Sequence, residues 1–84
     1  MDHTDHLAVS IKTRNKNLYE GAAESLTSAN DAGEFDVLLE HVNFITLIKG
    51  KIVLDKGLKS EKTFEMDSGV LSVFRNKVDA YIGV

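Results

Sequence analysis

Cysteine and proline are both absent from this chain of 84 residues. Without cysteine, neither a disulfide framework nor a thiolate metal site can form, and the absence is typical of a reducing cytoplasm. Without proline, glycine alone marks the turns. The chain also lacks a strong positive field, because 13 acidic residues outnumber 10 lysines and arginines, for a net charge of −3. Nucleic acid is therefore not expected as a partner.

No segment predicts a secretory signal or a membrane span. The first residues, 1–6, are polar and acidic, the reverse of a signal peptide. The longest apolar stretch, 42–48, is interrupted by Asn43 and Thr46 and is too short to cross a bilayer. We expect a protein that is soluble when isolated and that works at a membrane, if at all, peripherally.

Length and composition predict a single domain over residues 1–84, with residues 1–6 as a flexible tail. The hydrophobic fraction of 43% is ordinary for a small globular core. Asp2, His3, Asp5 and His6 are ligand types for a divalent metal, but a chain end has no rigid frame to hold one. We therefore expect no metal site and no cofactor.

The dominant period along the chain is two, which is typical of half-buried strands. Leu7, Val9 and Ile11 alternate with polar or small residues, so Val9 and Ile11 should point inward. Residues 28–33 and 56–62 predict loops, the second one exposed and mobile. Residues 22–26 are good helix formers but too few for a stable helix, so we favour a strand at 24–27. The pattern predicts an all-β fold, a small antiparallel β-sandwich of about ten short strands. The predicted strands include 7–12, 18–20, 24–27, 34–38, 44–48, 51–54, 63–67, 69–74 and 78–82.

Catalytic signatures are missing as well. The chain has no glycine-rich phosphate loop and no nucleophile with a base at motif spacing, so we expect no enzyme activity. Its four phenylalanines and two tyrosines are expected mostly at inward positions, which argues against a small-molecule site with convergent aromatics. Lysines are spread over predicted strands and turns without interleaved aromatics, as on a solvated sheet surface. They are Lys49, Lys51, Lys56, Lys59 and Lys62.

The segment 33–46, GEFDVLLEHVNFIT, resembles the signature of ATP synthase epsilon subunits. That family has Gly-Glu-hydrophobic-Gly-hydrophobic-hydrophobic-Pro-Gly-His-hydrophobic-Pro-hydrophobic-hydrophobic-Thr in this region. The segments 18–21, 68–73 and 76–81 resemble the family's first turn, its Ser-Gly-Gly strand and its last strand. The resemblance covers roughly residues 7–84 and implies the N-terminal β-sandwich domain of the epsilon subunit.

The resemblance implies a non-catalytic central-stalk subunit that couples the gamma subunit to the membrane c-ring of a proton- or sodium-translocating ATP synthase. It places His41 against gamma and Glu34 at the end that meets the c-ring, with Thr13 also facing gamma. Phe35 and Val42, together with Leu38 and Phe44, are candidate apolar anchors. The implied location is the cytoplasmic face of a bacterial-type membrane.

Four positions depart from the family pattern. Leu39 and Asn43 replace the two prolines, and Asp36 and Glu40 replace two glycines. The loop around His41 should therefore be less rigid or differently held. The chain also ends where the family continues into a C-terminal helical hairpin, so we expect the hairpin's inhibitory and nucleotide-sensing roles to be missing. The alternative is a stand-alone β-sandwich interaction module that kept the epsilon fold and left the synthase.

Overall fold

The computed structural model describes residues 6–40 and 43–83. Within these ranges the chain forms strands and turns and no helix, so the described part has none that could cross a membrane. The expected all-β class is confirmed. The strands are β1 (Leu7–Lys12), β2 (Asn17–Ala23), β3 (Leu26–Asn30), β4 (Gly33–Val37), β5 (Phe44–Leu54), β6 (Lys62–Phe74) and β7 (Lys77–Ile82).

The described residues form seven strands rather than about ten, because two apparent breaks lie inside long strands. Gly50 lies within β5 and has a left-handed φ of 90°. Asp67 and Ser68 lie within β6, opposite the single residue Lys49, which is the arrangement of a β-bulge. The bulge explains why buried positions change from even to odd numbers along β6. Just beyond it, a Cβ at Gly69 would lie 2.5 Å from the carbonyl oxygen of Tyr81, so only glycine fits there.

The strands follow the order β2-β1-β7-β6-β5-β3-β4. The β5–β6 hairpin runs through both layers of the sandwich, since β7 pairs with its 69–74 part and β3 with residues 49–54. We call β2, β1, β7 and the adjoining ends of β6 and β5 (69–74 and 44–48) layer I. Layer II contains β4, β3 and the other halves of β5 and β6. One pairing departs from the expected antiparallel arrangement, because β1 and β7 run parallel.

One apolar core joins the two layers. The inward positions Val9 and Ile11 are buried as predicted, at 2% and 0% exposure. Each fully buried Leu, Ile or Val contributes about 1.5–3 kcal/mol, so these contacts dominate the stability of so small a domain. The cluster contains Leu7, Val9, Ile11, Ala23, Leu26, Val37, Ile48, Ile52, Leu54, Leu71, Val73, Val78, Ala80 and Ile82.

The prediction of a loop over 28–33 is wrong for its first half. Residues 28–30 continue β3, and only Asp31 and Ala32 form the turn to β4. Small polar residues suggested a loop, but Ser28 is buried in the strand. Its hydroxyl can be buried there because it donates a hydrogen bond to the carbonyl of Lys51 at 2.8 Å. The segment 56–61 is an exposed turn region, as predicted.

Candidate interaction face

The outer surface of layer I carries large apolar side chains that are exposed. Ile45 and Leu47 on β5 are 74% and 72% exposed, and Phe74 and Tyr81 are 56% and 49% exposed. Val70 is half-buried and pairs with Leu47 on one side and Tyr81 on the other, so its side chain shares their surface. We call Ile45, Leu47, Val70, Phe74 and Tyr81 the apolar face. Leu47, Val70 and Tyr81 are direct neighbours across three strands, and exposed apolar side chains grouped in this way mark interaction sites in soluble proteins.

A polar strip on β7, β1 and β2 borders the apolar face. Across the sheet, Ser10 lies between Asp79 and Glu20. Its Oγ is buried and has no hydrogen-bond partner among the described residues. It lines a surface pocket of about 300 Å³, whose other lining residues include Ala8 and Ala22. A buried hydroxyl without a partner costs stability, so the fold alone does not explain a serine here.

The outer surface of layer II is charged instead. Two of its charged side chains have partners within the chain: Glu34 binds Lys56 at 3.2 Å, and Lys49 binds Asp31 at 3.2 Å. We call the exposed charged residues of this surface the polar face. They are Glu34, Asp36, Lys49, Lys51 and Glu65.

The buried carboxylate of Asp55, directly after β5, connects two loops of layer II by hydrogen bonds. Asp55 accepts hydrogen bonds from the Ser60 hydroxyl at 2.7 Å and from the backbone N–H of Glu24 at 2.6 Å and Ser25 at 3.4 Å. The Ser60 bond, with the two backbone bonds, lowers the pKa of Asp55 against the opposing effect of burial. Asp55 therefore holds the 55–61 turn region and the β2–β3 connection together.

The loop between β4 and β5 is bound to the turn between β6 and β7. The backbone N–H of Glu40 donates to Asn76 Oδ1 at 2.7 Å, and Asn76 Nδ2 donates to Glu40 Oε2 at 3.5 Å. The backbone N–H of Arg75 donates to Asn43 Oδ1 at 2.9 Å. We call Glu40, Asn43, Arg75 and Asn76 the rim cluster. Asn43 stands where the family pattern has proline, and its side chain accepts a hydrogen bond that a proline side chain could not accept.

Glu40 has a left-handed backbone conformation at a position where the family pattern has glycine. Its φ is 64°, in the left-handed region that favours glycine. The two hydrogen bonds with Asn76 compensate for the steric cost of a side chain in that conformation. Asp36, the other replaced glycine, accepts a hydrogen bond from the Thr27 hydroxyl at 2.6 Å across the β3–β4 pair.

The structure places the predicted partner-binding residues at separate points. Thr13 follows β1, where its Oγ1 accepts from the backbone N–H of Asn15 at 3.3 Å and donates to the carbonyl of Lys16 at 3.4 Å. Glu34 is exposed on the polar face, on the edge strand β4. Phe35 is half-buried and packs edge-to-face on Phe44, with ring centroids 5.9 Å apart. β1 and β4 are separated by four strands in the sheet order.

His41 and Val42 lie outside the described residues, as do residues 1–5 of the expected tail. Their neighbours are placed: Glu40 and Asn43 belong to the rim cluster, and Leu38 is 54% exposed. Among the described residues, no three His, Asp or Glu side chains come close enough to hold a metal.

Sequence reasoning missed the apolar face. The aromatic residues were expected mostly at inward positions, but Phe74 and Tyr81 are exposed on the outer surface. The signal was available in the run from Phe44 to Ile48, which is apolar at both odd and even positions. A strand with one face in water should alternate, so a run apolar on both faces predicts that both faces become covered.

A family model described as ATP synthase, Delta/Epsilon chain, beta-sandwich domain matches residues 6–80. The ATP synthase epsilon chain of Sulfurimonas denitrificans is 40% identical over 73 residues, which cover 86% of this chain and 56% of that protein. The ATP synthase epsilon chain of Clostridium novyi is 34% identical over 71 residues, covering 81% and 53%. The chain thus spans about half the length of the curated relatives it matches.

Two cryo-EM structures share the fold at 13% identity. A chain of the Euglena gracilis mitochondrial ATP synthase, in a structure of OSCP, F1 and the c-ring, superposes with a TM-score of 0.85 over 98% of this chain and 53% of its own length. A chain of the central stalk and c-ring structure of the Tetrahymena thermophila mitochondrial ATP synthase gives 0.73 over 92% and 63%. At this identity the likeness shows the fold alone.

Proposed function

This chain belongs to the family of ATP synthase delta/epsilon chain β-sandwich domains, and from that premise we propose that it is a non-catalytic central-stalk subunit of a rotary ATP synthase. In this role it couples the gamma subunit to the c-ring at the cytoplasmic face of a bacterial-type membrane. The names of its relatives support the proposal, and the fold that it shares with chains of two mitochondrial ATP synthase structures agrees with it.

The apolar face is the observation that carries the proposal. Ile45 and Leu47 lie side by side on the outer surface of β5, where solvent contact costs free energy that docking recovers. Burying each of these side chains against a partner contributes about 1.5–3 kcal/mol. We assign this surface to the gamma subunit, because a rotor subunit that transmits torque needs a dry, well-packed contact with the shaft.

Glu34 and the loop after β4 then form the end that faces the c-ring and the adjoining part of gamma. Glu34 is exposed, and its ion pair with Lys56 joins two surface side chains that solvent reaches. Such a pair is weak and can exchange for a partner's charge at little cost. Thr13, Phe35, His41 and Val42 remain proposed contacts or supports of this interface on the strength of the family resemblance.

The test is binding to the cognate gamma subunit, measured by isothermal titration calorimetry on co-expressed and separated subunits. We expect one-to-one binding, and Leu47→Asp should weaken it at least a hundredfold, since a carboxylate would be buried in an apolar contact. Both proteins should keep the same melting temperature, because Leu47 is exposed in the free domain.

Thr63→Asp is the matched control. Thr63 is an exposed strand residue on the outer surface of layer II, where it pairs with Val53. It receives the same charge, and the proposal predicts unchanged affinity. Failure of the wild-type chain to bind gamma would refute the proposal and favour the alternative of a stand-alone interaction module.

A further inference from the structure

Backbone strain is concentrated at the rim cluster. Four non-glycine residues of the described chain have φ values in the left-handed region, and three of them belong to this cluster: Glu40 at 64°, Arg75 at 51° and Asn76 at 65°. Arg75 and Asn76 form a two-residue hairpin turn in which both central residues need positive φ. Asparagine tolerates this conformation well, whereas arginine does not.

The hydrogen bonds of the rim cluster account for Asn76 but not for Arg75. The Asn76 side chain binds Glu40, and the backbone carbonyl of Asn76 accepts a hydrogen bond from the N–H of Ala8 at 2.9 Å. Arg75 contributes only its backbone N–H, which donates to Asn43. Asparagine or glycine at position 75 would supply the same N–H with less strain. The arginine side chain therefore has no structural role in the turn.

The guanidinium of Arg75 is directed toward the apolar face. It lies 5.3 Å from the ring centroid of Phe74, the residue where the apolar face ends. It makes no ion pair within the part of the chain that the structure describes. Stacking on an exposed ring fixes the orientation of a guanidinium and leaves its N–H groups free to bind a carboxylate in a bidentate manner.

We propose that Arg75 is a specificity-determining residue of the gamma interface, where its guanidinium binds an acidic side chain of gamma at the border of the apolar face. This inference rests on the proposed function, since it requires that gamma docks on the apolar face. The contact with Phe74 places the cation where docking excludes water, so the ion pair forms in a lower dielectric than at an open surface.

Calorimetric titration of the cognate gamma subunit into three variants tests the inference at low and high salt. Arg75→Gln removes the charge and should weaken binding about tenfold at low salt. It should also reduce the salt dependence of the affinity, because a screened ion pair is lost. Lys59→Gln is the control: it removes one charge from the exposed 56–61 turn region and should change affinity by less than about twofold.

Arg75→Asn separates a binding role from a structural one. Asparagine relieves the strain at φ 51°, so the melting temperature should stay the same or rise while gamma binding weakens as in Arg75→Gln. Equal affinity of the wild type, Arg75→Gln and Lys59→Gln variants would refute the role of Arg75 while leaving the proposed function intact. Absence of wild-type binding would refute both.

Discussion

The two outer surfaces of the sandwich differ in how many of their side chains have partners within the same chain. On the polar face, Glu34 and Lys49 are paired with other residues of the same chain, and Asp55 behind it accepts three hydrogen bonds. On the apolar face, Ile45 and Leu47 are exposed, and the nearby Ser10 hydroxyl has no partner among the described residues. The polar face suits contact with water or with a charged partner, whereas the apolar face suits a dry contact with another protein.

This contrast arises within single strands. β5 contributes Ile45 and Leu47 to the apolar face, and Lys49 and Lys51 to the polar face. All four are odd-numbered and point outward, so the change of character follows the sequence and not a change of orientation. The β6 bulge lies opposite Lys49, at the point where one surface gives way to the other.

Of the substitutions that compare the stability of the two layers, the one at Asp55 in layer II is expected to have the largest effect. We expect Asp55→Asn to lower the free energy of unfolding at neutral pH by about 1–2 kcal/mol, because it weakens charge-assisted hydrogen bonds. Asparagine tolerates the φ of 55° at this position, so the variant isolates the charge. Urea denaturation of the isolated domain measures the change.

The pH dependence of this loss follows from the lowered pKa of Asp55. A carboxyl with a lowered folded-state pKa stabilises the fold above its ordinary value of 3.8, and this stabilisation disappears as the pH falls through the folded-state pKa. The difference between wild type and Asp55→Asn should therefore shrink below pH 3.8. A difference that stays constant or grows on acidification would show that Asp55 does not act through its charge.

Two buried serines give a smaller and opposite pair of effects. Ser28 in layer II donates to the Lys51 carbonyl, so Ser28→Ala should cost about 1 kcal/mol of unfolding free energy. Ser10 in layer I has no partner among the described residues, so Ser10→Ala should leave stability unchanged or raise it by up to about 1 kcal/mol. Thermal and urea denaturation of both variants measures the change in unfolding free energy. Equal losses in the two variants would mean that the Ser10 hydroxyl contributes as much to the stability of the free chain as the Ser28 hydroxyl does.

Much of the fold could be predicted because alternation reports local strand geometry. The strands, the inward side of β1 and the all-β class follow from period-two patterning. Gly50 and Gly69 misled the strand count, since glycine marks bulges as well as turns. The parallel pairing of β1 and β7 joins residues about 70 positions apart, and no local pattern encodes such a contact.

The candidate site was less predictable for a related reason. The alternation of a strand shows that two faces differ, but a run such as 44–48 is apolar on both and does not say which residues reach the surface. The family resemblance directed attention to the loop through His41, and the structure adds the apolar face on the outer surface of layer I. Arg75 had no sequence signal, because its left-handed conformation and its contact with Phe74 appear only in the fold.

Cysteine protection tests the central claim most directly, since the chain contains no cysteine of its own and each variant then carries a single thiol. Leu47→Cys places it on the apolar face and Thr63→Cys on the outer surface of layer II. Alkylation rates are measured for the free chain and for its complex with a gamma subunit whose own thiols have been blocked. Our account predicts that gamma slows alkylation of Leu47→Cys at least about tenfold and leaves Thr63→Cys unchanged. Protection of Thr63→Cys with an unprotected Leu47→Cys would contradict it.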